Sequence, residues 1–477
     1  MARVPARRPA SGRRSARARV SGVSPARRAA ARVLERVETD QAFADIALDA
    51  EIDRAGLSAR DAALATELTL GVLRWRRYLD ALLAPHCKRR IDRLDSRVLT
   101  LLRLTAYQLV FLERVPAWAA VNDAVALAKR REKPGVPEFV NAVLRAFARR
   151  GVRERRPVLP KDPIDALAVR CSFPTWLAAR WVERYGTEDA ERLMLAMNDR
   201  PPLTVRVNTA RTTPEQAQQR LREEEGLSAS RTRYAPEGLS VEHGARPGAW
   251  KAFAAGDVVP QDEASMLVAR LLEPRPGETV ADVCAAPGTK TTHLAALMER
   301  PGRVIAFDPQ PQRLALLSEA ALRLGLDWIE PHAGPVEELA RGFLAACDRV
   351  LVDAPCSNLG VLRRNPDVKW RRAPEDLDRA RARQQQILAA SATMVKPGGW
   401  LVYATCSLEP EENDDVTRDF LAAQPAFRVD PPVDTPIPLD ATGALRCLPH
   451  RHGTDGFTAV RLRRSQLVPA TTGKRLS

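Results

Sequence analysis

Apolar residues recur at spacings of three and four through the first third of the chain, and gather into short unbroken runs in the last third. Between about residues 25 and 150 the period is helical: Leu64, Leu68, Val72 and Trp75 share one face, and 96–112 and 139–147 repeat the pattern. Ser24-Pro25 reads as an N-cap with proline at the first helical position. Ser58-Ala-Arg-Asp61 has the form of a capping box, with Asp where Glu is usual. Short polar breaks separate these pieces, which predicts a compact all-α domain.

Residues 151–262 mix both periods. Pro157, Pro160 and Pro163 mark a linker, two helical patterns follow at 174–185 and 187–198, and Leu203–Asn208 alternates like a strand. With a helical 213–225 and a Gly/Pro-rich run to Asp257, a small α/β unit is expected. From Gln261 the order becomes regular. A helix at 263–272 leads to strands at 279–284, 304–307, 350–353 and 400–405, with helical patterns between and a last strand at 457–462. These runs are apolar on both faces, as in buried parallel strands. Alternating strand and helix predicts a mostly parallel sheet, covered by helices on both sides. The expected organisation is an arm (1–24), an all-α domain (25–150), a linker and small α/β unit (151–262), a larger α/β domain (263–464) and a tail (465–477).

Charge changes this picture in one respect. With 74 Lys and Arg against 59 Asp and Glu the net charge is +15, which suits a polyanionic partner and makes nucleic acid the first expectation. Residues 1–24 contain seven Arg and no acid, too little apolar surface to order themselves. Seven scattered cysteines without a Cys-x-x-Cys argue against a disulfide framework or a zinc site, and suit a reducing cytoplasm. Neither a membrane-spanning run nor the apolar core of a signal peptide occurs. No metal is expected, and a monomer is the simplest reading.

Candidate chemistry sits where the strands end. Val350-Leu-Val-Asp-Ala-Pro-Cys-Ser357 and Trp400-Leu-Val-Tyr-Ala-Thr-Cys-Ser407 share a form: an apolar strand running into a Cys-Ser pair. A lone buried cysteine is ordinarily a small hydrophobe. Two in equivalent places point to covalent chemistry. Ligands in open α/β sheets bind beyond the carboxyl ends of the strands, so Asp353, Cys356 and Cys406 would stand at the mouth of a site. The strand at 279–284 runs into Cys284-Ala285-Ala286-Pro287-Gly288-Thr289-Lys290, small residues followed by a helix start with unpaired amides. Asp308 ends the next strand 20 residues after Gly288, a spacing that lets a carboxylate hold ribose hydroxyls. The loop is neither Gly-x-Gly-x-x-Gly nor a Walker loop. Two loop cysteines and no pyrophosphate fingerprint favour S-adenosylmethionine over a dinucleotide.

Asp282-Val-Cys-Ala-Ala-Pro-Gly-Thr-Lys290, Asp308 with Arg313-Leu314, Asp353-Ala-Pro-Cys-Ser357, and Tyr403-Ala-Thr-Cys-Ser407 with Pro410-Glu-Glu-Asn413 together resemble the RNA cytosine-C5 methyltransferases. The helical front, 119–127 and 139–146 above all, is similar to the RNA-binding domain of the antitermination factor NusB. From about residue 25 the chain therefore resembles the RsmB (Sun/Fmu) type, which modifies 16S ribosomal RNA. The resemblance implies an α/β Rossmann-like methyltransferase fold preceded by an all-α NusB-like domain, with S-adenosylmethionine held by Cys284–Lys290, Asp308 and Asp353. It makes Cys406 the nucleophile. Two departures stand out: Thr289 replaces a glycine of the loop, and Pro335 in His332-Ala-Gly334-Pro335 replaces a cofactor-contacting acid.

Carbon 5 of cytosine is too weak a nucleophile to take a methyl group unaided, and thiolate attack at C6 would activate it. Cys356 would assist release of product, and Asp353 would meet N3. Arg363 and Arg364 could grip phosphates, and Trp370 could stack on a base. Three rivals remain: a nucleophile at Cys356, as in the Pro-Cys loop of DNA cytosine methyltransferases; a transfer RNA substrate; and a non-catalytic RNA-binding assembly factor.

Overall fold

The computed structural model describes residues 22–131, 133–149, 151–152, 154–242, 246–298 and 302–466. The expected basic arm falls mostly, and the tail almost wholly, outside them. The described residues divide into two compact units, one drawn from 22–42, 46–69 and 83–155, the other from 43–45, 70–82 and 156–466.

The first unit is helical. Its helix Ser96–Phe111 is buried without interruption from Val98 to Leu109, so it is the core around which Pro25–Thr39, Ala117–Arg131 and Val136–Phe147 pack. Asp95 caps it by accepting from Arg97 N at 2.9 Å. Ser24 is followed by a helix as expected but does not cap it with its side chain; its own N–H donates to Asp123 instead. The box at Ser58 is half formed. Asp61 N donates to Ser58 Oγ at 3.2 Å, while the shorter Asp side chain bonds the Ser58 hydroxyl rather than its backbone. The helix Ala59–Leu83 departs from helical geometry at Trp75.

In the second unit, helices Pro163–Arg170, Thr175–Tyr185 and Thr187–Asn198 enclose a core of Phe173, Leu177, Trp181 and Met194. A four-stranded antiparallel sheet follows: β1 (Leu203–Val207), β2 (Ala229–Arg231), β3 (Gly238–Val241) and β4 (Val258–Pro260), in the order β2-β3-β1-β4. Its helix Pro214–Glu225 carries a complete capping box between Thr213 and Gln216.

The larger sheet has eight strands: β5 (Thr279–Val283), β6 (Arg303–Asp308), β7 (Ile329–Ala333), β8 (Cys347–Asp353), β9 (Val395–Thr405), β10 (Phe427–Val429), β11 (Ala444–Cys447) and β12 (Phe457–Arg464). The order is β10-β12-β9-β8-β5-β6-β7, with β11 beside β12; β5 to β9 are parallel and the last three antiparallel. Period-two alternation divides its side chains between two cores. Val280, Val304, Leu351 and Val402 face the helices Glu263–Leu271, Thr289–Met298 and Pro311–Leu324. Ala281, Ile305, Val350, Val352 and Leu401 face Pro374–Ala392 and Asp414–Ala423.

Strand β7 has no counterpart in the sequence reading. Ile329-Glu-Pro-His-Ala333 lacks an apolar run, and it lies at the sheet edge, where Pro331 removes no needed ladder bond. Cys284, read as the last residue of its strand, instead leaves it with a positive φ of 65°.

The chain passes from β5 outward to β6 and β7, then returns to place β8 on the other side of β5. That reversal opens a crevice at the carboxyl ends of β5 and β8. In register Asp353 lies beside Ala404, and Ala354 N donates to Ala404 O at 2.9 Å, so the loops after β8 and β9 leave at one level. Gly360 N then donates to Cys406 O at 2.9 Å, and Gly456 N to Gly360 O at 2.8 Å. A Cβ on Gly360 would stand 2.2 Å from Gly456 O and 2.8 Å from Cys406 O, both backbone atoms. Gly360→Ala is therefore expected to cost about 1–3 kcal/mol of stability through overpacking, read as a lowered urea midpoint of the α/β unit.

Candidate active site

The turn after β5 is built for close approach. Ala285 N donates to Phe307 O at 2.9 Å, and Gly288 N closes the turn onto Ala285 O at 2.9 Å. Gly288 has φ 106°, and a Cβ there would stand 2.8 Å from Leu317 Cγ, so only glycine fits before the helix Thr289–Met298. At the end of β6, Asp308 is buried and accepts from Ala286 N at 3.3 Å and Gln310 N at 2.9 Å. A cleft of about 410 Å³ opens here, lined among others by Cys284, Asp308, Pro335, Pro355, Arg383 and Ile387.

Lys290 points back from its helix to Asp353, with Nζ 2.8 Å from Oδ2. Burial pulls the ammonium down, but the charge and hydrogen bond of Asp353, with a smaller contribution from Cys406, hold its pKa above the usual lysine value. Asp282, on β5, is fully buried. Burial drives its carboxyl up to about 7, against a hydrogen bond from Thr291 Oγ1 at 2.7 Å and with a push from the Asp353 charge. Cys284 is likewise raised, by burial first and by Asp353, Asp282 and Asp308, so its thiol stays protonated.

The two strand-end cysteines meet. Cys356 Sγ and Cys406 Sγ are 3.1 Å apart, both free and half-buried. Cys356 is pushed well above the usual thiol value by its hydrogen bond to Cys406, by burial and by the Cys406 and Glu412 charges. Its protonated form is thereby favoured, in contact with the Cys406 sulfur. Asn358, in a left-handed conformation with φ 64°, places Oδ1 2.9 Å from Cys406 Sγ and 3.5 Å from Cys356 Sγ. Its amide accepts from a thiol in this orientation and, turned over, would donate to a thiolate.

Sequence comparison gives this geometry a family. The model of 16S rRNA methyltransferase RsmB/F matches residues 269–463, that of the NusB family residues 24–149, and that of the RsmF/B-like ferredoxin-like domain residues 173–246. The Bacillus subtilis protein named "Probable ribosomal RNA small subunit methyltransferase B" is 37% identical over 437 residues, spanning 90% of this chain and 97% of that protein. Ribosomal RNA small subunit methyltransferase B of Pseudomonas putida is 35% identical, over 91% and 98% of the two chains. The chain belongs to the RsmB/F methyltransferase family. A solved structure, described as that of PH0851, superposes with a TM-score of 0.79 at 27% identity, covering 93% of this chain and all of that one. The fold is accordingly a Rossmann-like methyltransferase domain behind an all-α NusB domain.

Cys284, Asp308, Asp353, Cys356 and Cys406 thus converge at the carboxyl ends of β5, β6, β8 and β9, and Lys290 joins them through Asp353. The arginines do not. Arg363 is buried, donating to Gly453 O at 2.8 Å and Thr454 O at 3.1 Å, and lies 3.4 Å from Asp455. Arg364 bridges Asp455 at 2.5 Å and Asp262 at 2.8 Å. Both guanidiniums brace the loop after Gly360 against acids remote in sequence, which corrects their reading as phosphate contacts. Trp370 is equally committed: its Nε1 donates to Leu73 O at 2.7 Å, so the ring is held as a half-buried packing element.

Asn358 and Arg383 were missed. Asn358 stands two residues beyond Cys356, which in hindsight is its signal. Arg383 had none, because an arginine within a helical stretch is ordinarily a solvated charge. It bonds Glu337, the first acid after the Pro335 departure. Among the described residues no cluster has the make-up of a metal site, and no helix is long and apolar enough to cross a membrane.

Asp282 makes stability pH-dependent. Its protonated form carries no burial penalty below the unfolded value near 3.8, and the penalty grows as pH rises toward about 7. Asp282→Asn should therefore shift the urea midpoint upward relative to the native chain at pH 8.5 by more than at pH 5. An equal shift at both values would show that the carboxyl does not titrate in this range.

Proposed function

We propose that this chain methylates carbon 5 of a cytosine in 16S ribosomal RNA, using S-adenosylmethionine and a transient bond to Cys406. One observation carries the reading: two thiols 3.1 Å apart at the strand ends beside the cleft that Cys284 and Asp308 line, in a chain of this family. When bound, the cofactor would supply an electrophilic methyl group on a positively charged sulfur. The residues present suit it. Gly288 lets the backbone approach, and Asp308 stands at the end of β6 where a ribose would lie. Pro335 offers no carboxylate at the position where the family has one.

Cys406 attacks C6 of the base as a thiolate, forming the S–C6 bond and moving the C5=C6 electron pair to C5. Asp353 meets the N3 edge with the oxygen that Lys290 does not hold, and to do so that oxygen carries a proton which it shares with N3 while the base is bound. This favours charge redistribution into the ring. Once C5 carries the methyl group, its proton passes to a base such as a water molecule in the cleft, the C–H electron pair re-forms the C5=C6 bond and the Cys406 thiolate departs. Cys356, protonated and in contact with that sulfur, is placed to take part in this release. The base must leave its stack to reach the thiols, so a single-stranded segment is the expected target. Both thiols must remain reduced, which suits a cytoplasmic setting.

Incubation with tritiated cofactor and unmodified small-subunit rRNA should yield labelled 5-methylcytidine. Cys406→Ser should abolish the label, and Cys356→Ser should accumulate protein joined covalently to RNA. Trapping through Cys356 in a Cys406→Ser background would reverse the two roles, and label in transfer RNA alone would reassign the substrate.

A further inference from the structure

Each catalytic cysteine is followed by a serine, and both serines turn inward to one carboxylate. Glu412 has no exposed surface. Its Oε1 accepts from Ser357 N at 2.7 Å and from Gln384 Nε2 at 3.1 Å. Its Oε2 accepts from Ser357 Oγ at 2.5 Å and from Ser407 Oγ, and the two hydroxyls lie 3.2 Å apart. An ionised carboxylate offers about four acceptor sites, and here they are occupied from three segments: the loop after β8, the loop after β9, and the helix Pro374–Ala392. No Lys or Arg forms an ion pair with Glu412 among the described residues. The groups that make the buried charge tolerable are therefore hydrogen bonds from the loops themselves.

Glu412 is itself fixed. Tyr403 OH donates to its carbonyl at 2.6 Å. The next residue, Asn413, accepts from Thr405 Oγ1 at 2.7 Å and donates to Glu409 O at 2.8 Å and Ser407 O at 3.2 Å. Gln384 reaches the same region from the other side, donating also to Pro355 O at 3.0 Å.

We propose that Glu412 is a positioning residue, fastening the loop of Cys356 to the loop of Cys406 through Ser357 and Ser407 and thereby setting the separation and aim of the two thiols. It touches neither base nor cofactor. The role rests on the reading of Cys406 and Cys356 given above, and explains why a serine stands behind each of them. Backbone pairing sets the level at which the loops start; the carboxylate sets where they end.

The test uses the full chain with two readouts. The first is covalent trapping on small-subunit rRNA transcribed with 5-fluorocytidine, whose C5 cannot lose a proton. The second needs no RNA: diamide closes Cys356 and Cys406 to a disulfide, taking up the two electrons and two protons released, at a rate set by the distance between the thiols. Glu412→Ala is expected to slow trapping by about 10²-fold, the scale of a displacement near 1 Å. It should slow disulfide closure as well, with S-adenosylmethionine affinity unchanged by calorimetry and Glu412→Gln recovering most of the loss. If Glu412→Ala does not fold, Ser357→Ala with Ser407→Ala removes the same hydroxyl links while Glu412 keeps its bonds from Ser357 N and Gln384, and both rates should fall again. Trapping and closure at native rates in either variant would overturn the proposal. So would cofactor affinity falling in step with trapping, because Glu412 would then be a general support of the fold. Trapping that survives in Cys406→Ser would instead defeat the nucleophile assignment, leaving the disulfide measurement to judge Glu412.

Discussion

The backbone ladder between β8 and β9 is the constraint on which the site depends. Parallel strands can be joined only by a crossover, and this one returns the chain through the helix Pro374–Ala392 before β9 begins. Two cysteines 50 positions apart in sequence thereby arrive at the same end of neighbouring strands with their sulfurs in contact. A shift of register by one residue would turn one of those side chains to the opposite face of the sheet. The bond from Gly360 N to Cys406 O extends the ladder past the strands and into the loops. This is why a glycine is required where the chains pass closest.

A second consequence of the topology is electrostatic. Asp282, Asp308 and Asp353 belong to three different strands, yet the parallel order gathers them at one edge with a single lysine between two of them. With Asp282 and Asp308 buried and Asp353 half-buried, burial and neighbouring charge act together: Asp282 is driven toward neutrality and Cys284 is kept a thiol, while Lys290 is held charged by Asp353. Three cysteines thus stand at the ends of neighbouring strands in different surroundings. Cys284 has carboxylates around it, Cys356 has a neighbouring sulfur, and the proton stays on both.

The net charge of +15 pointed to a polyanion, but it did not say which arginines would meet one. Arg363 and Arg364 are adjacent, follow a glycine and stand near Cys356, which in sequence looks like a phosphate grip. In the fold their partners, Asp262 and Asp455, come from segments about a hundred residues to either side. A basic pair is indistinguishable from a salt-bridged brace until the acids that neutralise it are located.

What the sequence by itself determined was local. Apolar period placed the helices and the buried strands, and the small-residue loop at Cys284–Lys290, the acid at Asp308 and the repeated Cys-Ser endings marked the strand ends that gather at the crevice. Each of those signals lies within a few residues of its cause. The edge strand β7 escaped because a strand paired on one side needs no apolar run. The contact between Cys356 and Cys406, the Lys290–Asp353 pair, the amide of Asn358 between the sulfurs and the carboxylate of Glu412 beneath both serines were decided only by tertiary structure. Each joins groups from different strands or loops. Only the packed sheet brings such groups within hydrogen-bonding distance, since the pattern of one segment carries no information about the residue that will face it across a crossover.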